Sequence, residues 1–343
     1  MHLTGSALPR HRPPPGVDTL HCTRQRGLDA IADARLRPMV ASVLDSGLIE
    51  EAIARTDGFD PPVDLARARS DAQVLTAELA AFGVEVPAAT IGNITLMRAM
   101  MVPIADPAIA LAVDRIWVFT TNVDDVCSHD RAAAEALLQA GLLPGAPAAA
   151  SPNARYVRHM FEQVAPYCDP TFLATFKSFF HNAITGVLME AEFTPEVADE
   201  VDSDFVRVFN GFSQFWFTSL QFADPCLDAG RHRAFWAAAL SSGVAFLNDI
   251  NDVLSFYKEA VHGEDFLIGR IHRQSLKEGI PYLAAYRRSF DSGLAACRRT
   301  LDLATEEQRP YVDRYLTGFA YWHLHCRRYR WQDVYPGLAM IDV

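Results

Sequence analysis

Asn251, Ser255 and Glu259 are spaced four residues apart in the stretch Asn251-Asp-Val-Leu-Ser255-Phe-Tyr-Lys258-Glu259. Four residues of α-helix turn through about 400°, so these side chains drift by only about 80° in total and share one face. Lys258, seven residues after Asn251, falls on that face too. The face offers three oxygen donors and one cation, following the apolar run from Ser242 to Leu247. Hard cations such as Mg²⁺ take oxygen ligands and often share them with phosphate groups. Side chains on a helix lean toward its N-terminus, so the long Glu259 can reach back toward the short Asn251. The spacing predicts a metal ion held by one helix. The other register, Asn248, Asp252 and Phe256, puts a phenyl ring where an oxygen is needed and is rejected. The plain alternative is a solvated helix face ending in Lys-Glu.

Three further sets could work with that helix. Asp124 and Asp125 lie on a helix seven residues beyond Trp117, and adjacent acids on an apolar helix are costly unless they bind metal or pair with cations. The alternative is an exposed helix end. Arg207 lies in Phe205-Val-Arg-Val-Phe-Asn-Gly211, where it is either a snorkelling surface residue or a ligand for phosphate oxygens, which a guanidinium fork matches two at a time. Arg328 and Tyr329 lie in Trp322-His-Leu-His-Cys-Arg-Arg-Tyr-Arg-Trp331, otherwise readable as a basic helix end favoured by the helix dipole.

The Asn/Ser/Lys-Glu stretch resembles the second metal-binding motif of class I terpene synthases, and the longer string Asn-Asp-Val-Leu-Ser-Phe-Tyr-Lys-Glu resembles the fungal trichodiene synthase family in particular. The resemblance covers about Ala88 to Trp331. It implies a single α-helical bundle around an apolar cavity, in which Asp124, Asn251, Ser255 and Glu259 bind Mg²⁺, three ions in all, with Mn²⁺ as a substitute. It implies that Asp125 pairs with a C-terminal Arg, that Arg207 senses diphosphate, and that Lys258, Arg328 and Tyr329 hold it. Trp117 and Thr121 are then candidates for the cavity wall. The implied reaction is ionisation of farnesyl diphosphate and cyclisation of the cation to a sesquiterpene, in the cytoplasm, by an enzyme whose relatives are often homodimers. One departure is plain: the family's further acid, three residues on, falls at Ser128, and the nearest Asp is Asp130. A chain-elongating prenyl diphosphate synthase shares fold and metals but carries Asp-rich motifs on both helices. A non-catalytic helical scaffold would need neither Asp124 nor Glu259.

The elements that must position these residues are helical. Apolar residues recur at three and four from about Leu28 onward, and no strand-turn-strand pattern or internal repeat occurs. Helices are expected at about 48–54, 63–82, 87–102, 107–130, 154–165, 170–192, 204–222, 231–259, 270–278, 281–299 and 310–329, with 141–153 a loop. Residues 1–27 are expected to be a disordered Pro-rich leader and 28–343 one domain. At 343 residues, 50% hydrophobic and 21% charged, the composition is that of a soluble globular protein, and no run reaches the ~18 apolar residues of a membrane helix. A net charge of −11 argues against nucleic acid and anionic membranes as partners. An anionic diphosphate substrate therefore needs metal ions and placed basic residues to reverse the field locally. The six cysteines show no CxxC pairing and read as reduced thiols. The acidic run 196–204 reads as a solvated face. His323 and His325, two apart on a helix, cannot share a metal ion and read as structural.

Overall fold

The protein was analysed as a computed structural model that describes residues 17–127, 130–142, 151–191, 203–210, 212–263, 266 and 269–341. The described residues form the expected all-α bundle. Their helices are α1 (Val17–Asp29), α2 (Arg37–Leu44), α3 (Leu48–Thr56), α4 (Leu65–Phe82), α5 (Ala88–Met101), α6 (Pro107–Cys127), α7 (Arg131–Leu142), α8 (Pro152–Val164), α9 (Pro170–Ala191), α10 (Ser203–Asn210), α11 (Ser213–Thr218), α12 (Arg233–His262), α13 (Arg270–Glu278), α14 (Tyr282–Leu303) and α15 (Arg309–His325). Strand-type pairing among the described residues is limited to one parallel bridge, Cys326 with Ile341. No described helix is long and apolar enough to cross a membrane. One continuous apolar core runs from Ile31 to Ile341. The described cysteines, Cys22, Cys168, Cys226, Cys297 and Cys326, are all free.

Local chemistry explains most boundaries. Pro107 opens α6 at the first turn, where its missing N–H costs nothing. Asp64 caps α4 by accepting the Arg67 N–H at 2.9 Å, and Ser151 caps α8 by accepting that of Ala154. Three expectations need correction. The leader expected over 1–27 is helical from Val17 onward, because Arg24 pairs with Glu50 and lies over the Tyr335 ring, which ties α1 to the C-terminal segment; residues 1–16 lie outside the described residues. The helix expected to run from Pro107 to Asp130 ends at Cys127, and the Ala-rich α7 follows it, started by Asp130, whose carboxylate accepts the Ala133 N–H at 3.0 Å. The helix expected over 204–222 is broken into α10 and α11.

That break shapes the site. Phe212 takes a left-handed conformation at φ 48°, which costs a non-glycine residue about 1–2 kcal/mol. Asn248 of α12 holds both sides together: its Nδ2 donates to the Arg207 carbonyl at 3.1 Å, and its Oδ1 accepts from the Ser213 hydroxyl. The signal in the sequence was the pair Asn210-Gly211, a common helix stop.

α12 is the axis of this half of the bundle. It packs most extensively against α14, and also against α11 and α15. Gly243 permits the closest approach: a Cβ there would stand 2.4 Å from the Phe217 ring of α11. Beyond α15 the chain turns at Arg327–Tyr329 and again at Trp331–Asp333. The fully buried Trp331 donates its indole N–H to the Leu254 carbonyl of α12 at 3.0 Å, which anchors these turns beside the helix.

Candidate active site

The structure brings Asn251 to Arg207 and Ser255 to Glu259. Arg207 of α10 donates through Nη2 to Asn251 Oδ1 at 2.8 Å, and the same nitrogen lies 3.0 Å from Asp252 Oδ1. Asn251 Nδ2 meets His323 Nε2 of α15 at 3.1 Å. One turn further, the buried Ser255 hydroxyl donates to Glu259 Oε1. The rejected register is accounted for as well. Asn248 holds the α10–α11 break, Asp252 binds arginines, and Phe256 is buried between the rings of Tyr286 and Trp331.

Charge converges on the same place. Burial pushes the Glu259 carboxyl up to about 7, although Lys258 and the Ser255 hydrogen bond oppose the rise. Burial pushes His323 down to about 3; its bond to the Phe319 carbonyl opposes this, while the charges of Lys258, Arg328 and Arg207 add to it. The basic candidates from α10, α12 and the turn after α15 thus all act on one buried imidazole. Tyr329 is buried with its ring centroid 4.4 Å from that of His323, and Arg328 is exposed in the same turn. Arg330 turns away to Asp333, at 2.8 Å.

Beside Asn251 lies a charge cluster that motif spacing did not reveal. Arg270, at the start of α13, donates through Nη2 to Asp249 and through Nε to Asp252 at 2.7 Å, both on α12, and lies 3.2 Å from Asp204 of α10. Burial opposes the Arg270 charge, but the carboxylates of Asp252 and Asp249 outweigh it and raise its pKa. Asp204 belongs to the run expected to be a solvated acidic face; it is exposed but paired, and 196–202 lie outside the described residues.

Asp124 and Asp125 occupy the last turn of α6, and their side chains lie outside the described residues, as does Ser128. Asp130 caps α7. Trp117, expected on the cavity wall, is fully buried. One face stacks on Trp216 of α11 at 4.9 Å and 8° between planes, and Trp216 is the half-exposed ring of the pair. Trp216 is fixed by donating its indole N–H to Thr120 at 2.9 Å, which ties α6 to α11 four residues before Asp124. Thr121 is half-buried, its hydroxyl donating to the Trp117 carbonyl.

The sequence profile of the trichodiene synthase (TRI5) family matches residues 153–341, more than half of the chain. The chain belongs to the trichodiene synthase family. Solved structures agree in fold. An SVS_A2 protein from ancestral sequence reconstruction superposes with a TM-score of 0.61 at 16% identity, over 75% of this chain and 85% of that one. The 2-methylisoborneol synthase of Streptomyces coelicolor A3(2), solved with Mg²⁺ and geranyl-S-thiolodiphosphate, gives 0.58 at 16% identity over 82% and 96%. The linalool/nerolidol synthase of Streptomyces clavuligerus, solved with 2-fluorogeranyl diphosphate, gives 0.57 at 15% identity over 78% and 97%. A search of curated protein sequences found no match. Membership in the trichodiene synthase family makes this protein a terpene synthase with the class I helical fold.

The donor set of this family member fits a divalent cation. Asn251 Oδ1 and Glu259 are oxygen donors on one helix, and a carboxyl raised to about 7 by burial is the kind of group that a cation beside it would ionise. Among the described residues no three His, Cys, Asp or Glu side chains converge as a metal site. Sequence reasoning missed Arg270, Asp249, Asp252 and Trp216, and it read His323 as purely structural. None of these carries a local signal, because each acts through a partner on another helix.

Proposed function

We propose that this terpene synthase is a Mg²⁺-dependent sesquiterpene cyclase. It ionises farnesyl diphosphate, cyclises the resulting C15 cation to a hydrocarbon or alcohol, and releases diphosphate. The observation that carries the reading is the set of basic groups, Arg207, Lys258 and Arg328, gathered around oxygen donors of α12 in a chain of net charge −11. Basic groups placed in this way suit an anionic leaving group. Asp124, Asn251, Ser255 and Glu259 would hold three Mg²⁺ ions, and Mg²⁺ bound there supplies Lewis-acid stabilisation of charge on the leaving diphosphate.

The chain's own residues do the rest. Arg207, Lys258, Arg328 and Tyr329 bind and orient the diphosphate as the allylic C–O bond breaks and its electron pair leaves with oxygen. By the family resemblance, Asp125 would pair with a C-terminal arginine. Closure of the site excludes water from the cation. Trp216, backed by Trp117, offers an aromatic face to migrating positive charge, and Thr121 lies on the same wall. Proton loss or capture of water ends the sequence. In this reading the enzyme works in the cytoplasm on a small prenyl diphosphate, as a homodimer. The test is incubation with Mg²⁺ and C10, C15 or C20 diphosphates, with and without isopentenyl diphosphate, followed by mass spectrometry. A cyclic C15 product from farnesyl diphosphate is expected. Diphosphate release from none of the three, or condensation in place of cyclisation, refutes the reading.

A further inference from the structure

We infer that His323 is a positioning residue: it sets the orientation of the Asn251 amide so that Oδ1 faces the site, and it couples α12 to the Arg328–Tyr329 turn. The inference rests on the function proposed above. Its support is a chain of contacts in which every atom has only one available role. Arg207 carries donors alone, so the Asn251 atom that it meets at 2.8 Å is the carbonyl oxygen. The NH₂ group therefore faces His323 Nε2 at 3.1 Å, and Nε2 must accept. His323 Nδ1 lies 2.8 Å from the Phe319 carbonyl, which can only accept, so the ring proton sits on Nδ1. These assignments agree with one another. A flipped Asn251 would set its NH₂ against a guanidinium and its oxygen against an imidazole lone pair.

The last torsion of an Asn side chain is broad and close to two-fold, so the partners set which end faces where: Arg207 selects the oxygen and His323 selects the NH₂. His323, acting with Arg207, disfavours the flipped orientation. It is 1% exposed, and its ring lies 4.4 Å from that of Tyr329, so a single side chain touches both the Asn251 amide of α12 and the C-terminal turn. Groups that orient a metal ligand in this way commonly govern affinity by 10- to 100-fold.

Three variants separate the roles. His323→Phe keeps a ring against Tyr329 and removes the acceptor. His323→Asn keeps a donor for the Phe319 carbonyl but is too short to reach Asn251. His323→Gln returns an acceptor at about the distance of Nε2. Folding is checked by circular dichroism, and the binding of Mg²⁺ with inorganic diphosphate is measured by calorimetry on the full chain. Alongside these, the Mg²⁺ dependence of kcat/KM is recorded with farnesyl diphosphate. The expected result is an apparent Mg²⁺ constant about tenfold weaker in whichever of the Phe and Asn variants folds, and within about threefold of the parent in the Gln variant. A merely structural role would lower thermal stability while leaving Mg²⁺ binding unmoved. Folded Phe or Asn variants that bind Mg²⁺ and diphosphate within twofold of the parent overturn the inference. A parent chain that neither binds Mg²⁺ with diphosphate nor turns over any prenyl diphosphate overturns the function itself, and the inference with it.

Discussion

Replacing Arg270 by Met should destabilise the protein by about 3 kcal/mol. Arg270 binds Asp249, Asp252 and Asp204. Removing one partner of a buried ion pair costs about 3–5 kcal/mol, because the other charge stays buried and unpaired. The three carboxylates contribute unequally. Asp204, with 64% of its side chain exposed, adds no more than about 1 kcal/mol. Asp252 keeps Arg207 at 3.0 Å, so its charge remains compensated. Asp249 is only 5% exposed and keeps nothing stronger than a hydrogen bond from Ser292, so most of the loss falls on it and the total lies near the lower end of the range. The assay is equilibrium unfolding in urea at pH 8, followed by circular dichroism. Adding Asp249→Asn to Arg270→Met should recover at least half of the loss, since it removes the stranded charge. A loss below about 1 kcal/mol, or a double variant no more stable than the single one, would show that Arg270 does not carry the load assigned to it.

Other outcomes follow from the same geometry. Glu259→Ala and Asp124→Ala should each lower diphosphate release by about 10²–10³-fold, the several kcal/mol expected of metal-stabilised charge, with circular dichroism spectra like that of the parent. Trp216→Leu should shift the product mixture toward less cyclised skeletons, because a desolvated cation–π contact of about 2 kcal/mol changes partitioning about 30-fold. Trp117→Ala should mainly destabilise, by about 3–5 kcal/mol, since Trp117 is fully buried. Glu78 provides a pH test away from the site: burial raises its pKa, but Arg115, bound at 2.7 Å, together with Tyr156 and His159, lowers it below 4.5 overall. A depressed acid stabilises above its unfolded pKa and loses that contribution as pH falls through the folded value. Glu78→Gln should therefore cost about 1.5–3 kcal/mol at pH 7 in urea melts, and the gap should narrow as the pH falls below 4.5.

Much of this protein was legible along the chain because helix period and oxygen-donor spacing are local properties. Asn251, Ser255 and Glu259 had to share a face once the stretch was helical, and Ser255 does bond Glu259. Most helices from Leu48 onward also declared themselves, with Pro107 opening α6 and 270–278 forming α13 as expected, whereas α7 was not expected and 204–222 divides into α10 and α11. The order of Asp124, Arg207, Asn251 and Arg328 along the chain sufficed for the family resemblance that the matching profile bears out.

What only the tertiary structure decided are the choices of partner between distant segments. No periodicity pairs Arg207 with Asn251 and Asp252, which are 44 and 45 residues away, or Arg270 with Asp249. The break at Phe212 lies inside a run whose aromatic pattern favours a continuous helix; Asn248, reaching across from α12, holds it open. Trp117 and Trp216 share one stack, and only the packing of α6 on α11 determines which ring is covered. His323 looked inert because the partners that set its proton on Nδ1 are one helical turn away and on another helix. Local spacing determines which residues can act on one helix, whereas a buried charge or donor takes its role from whatever the fold sets opposite it.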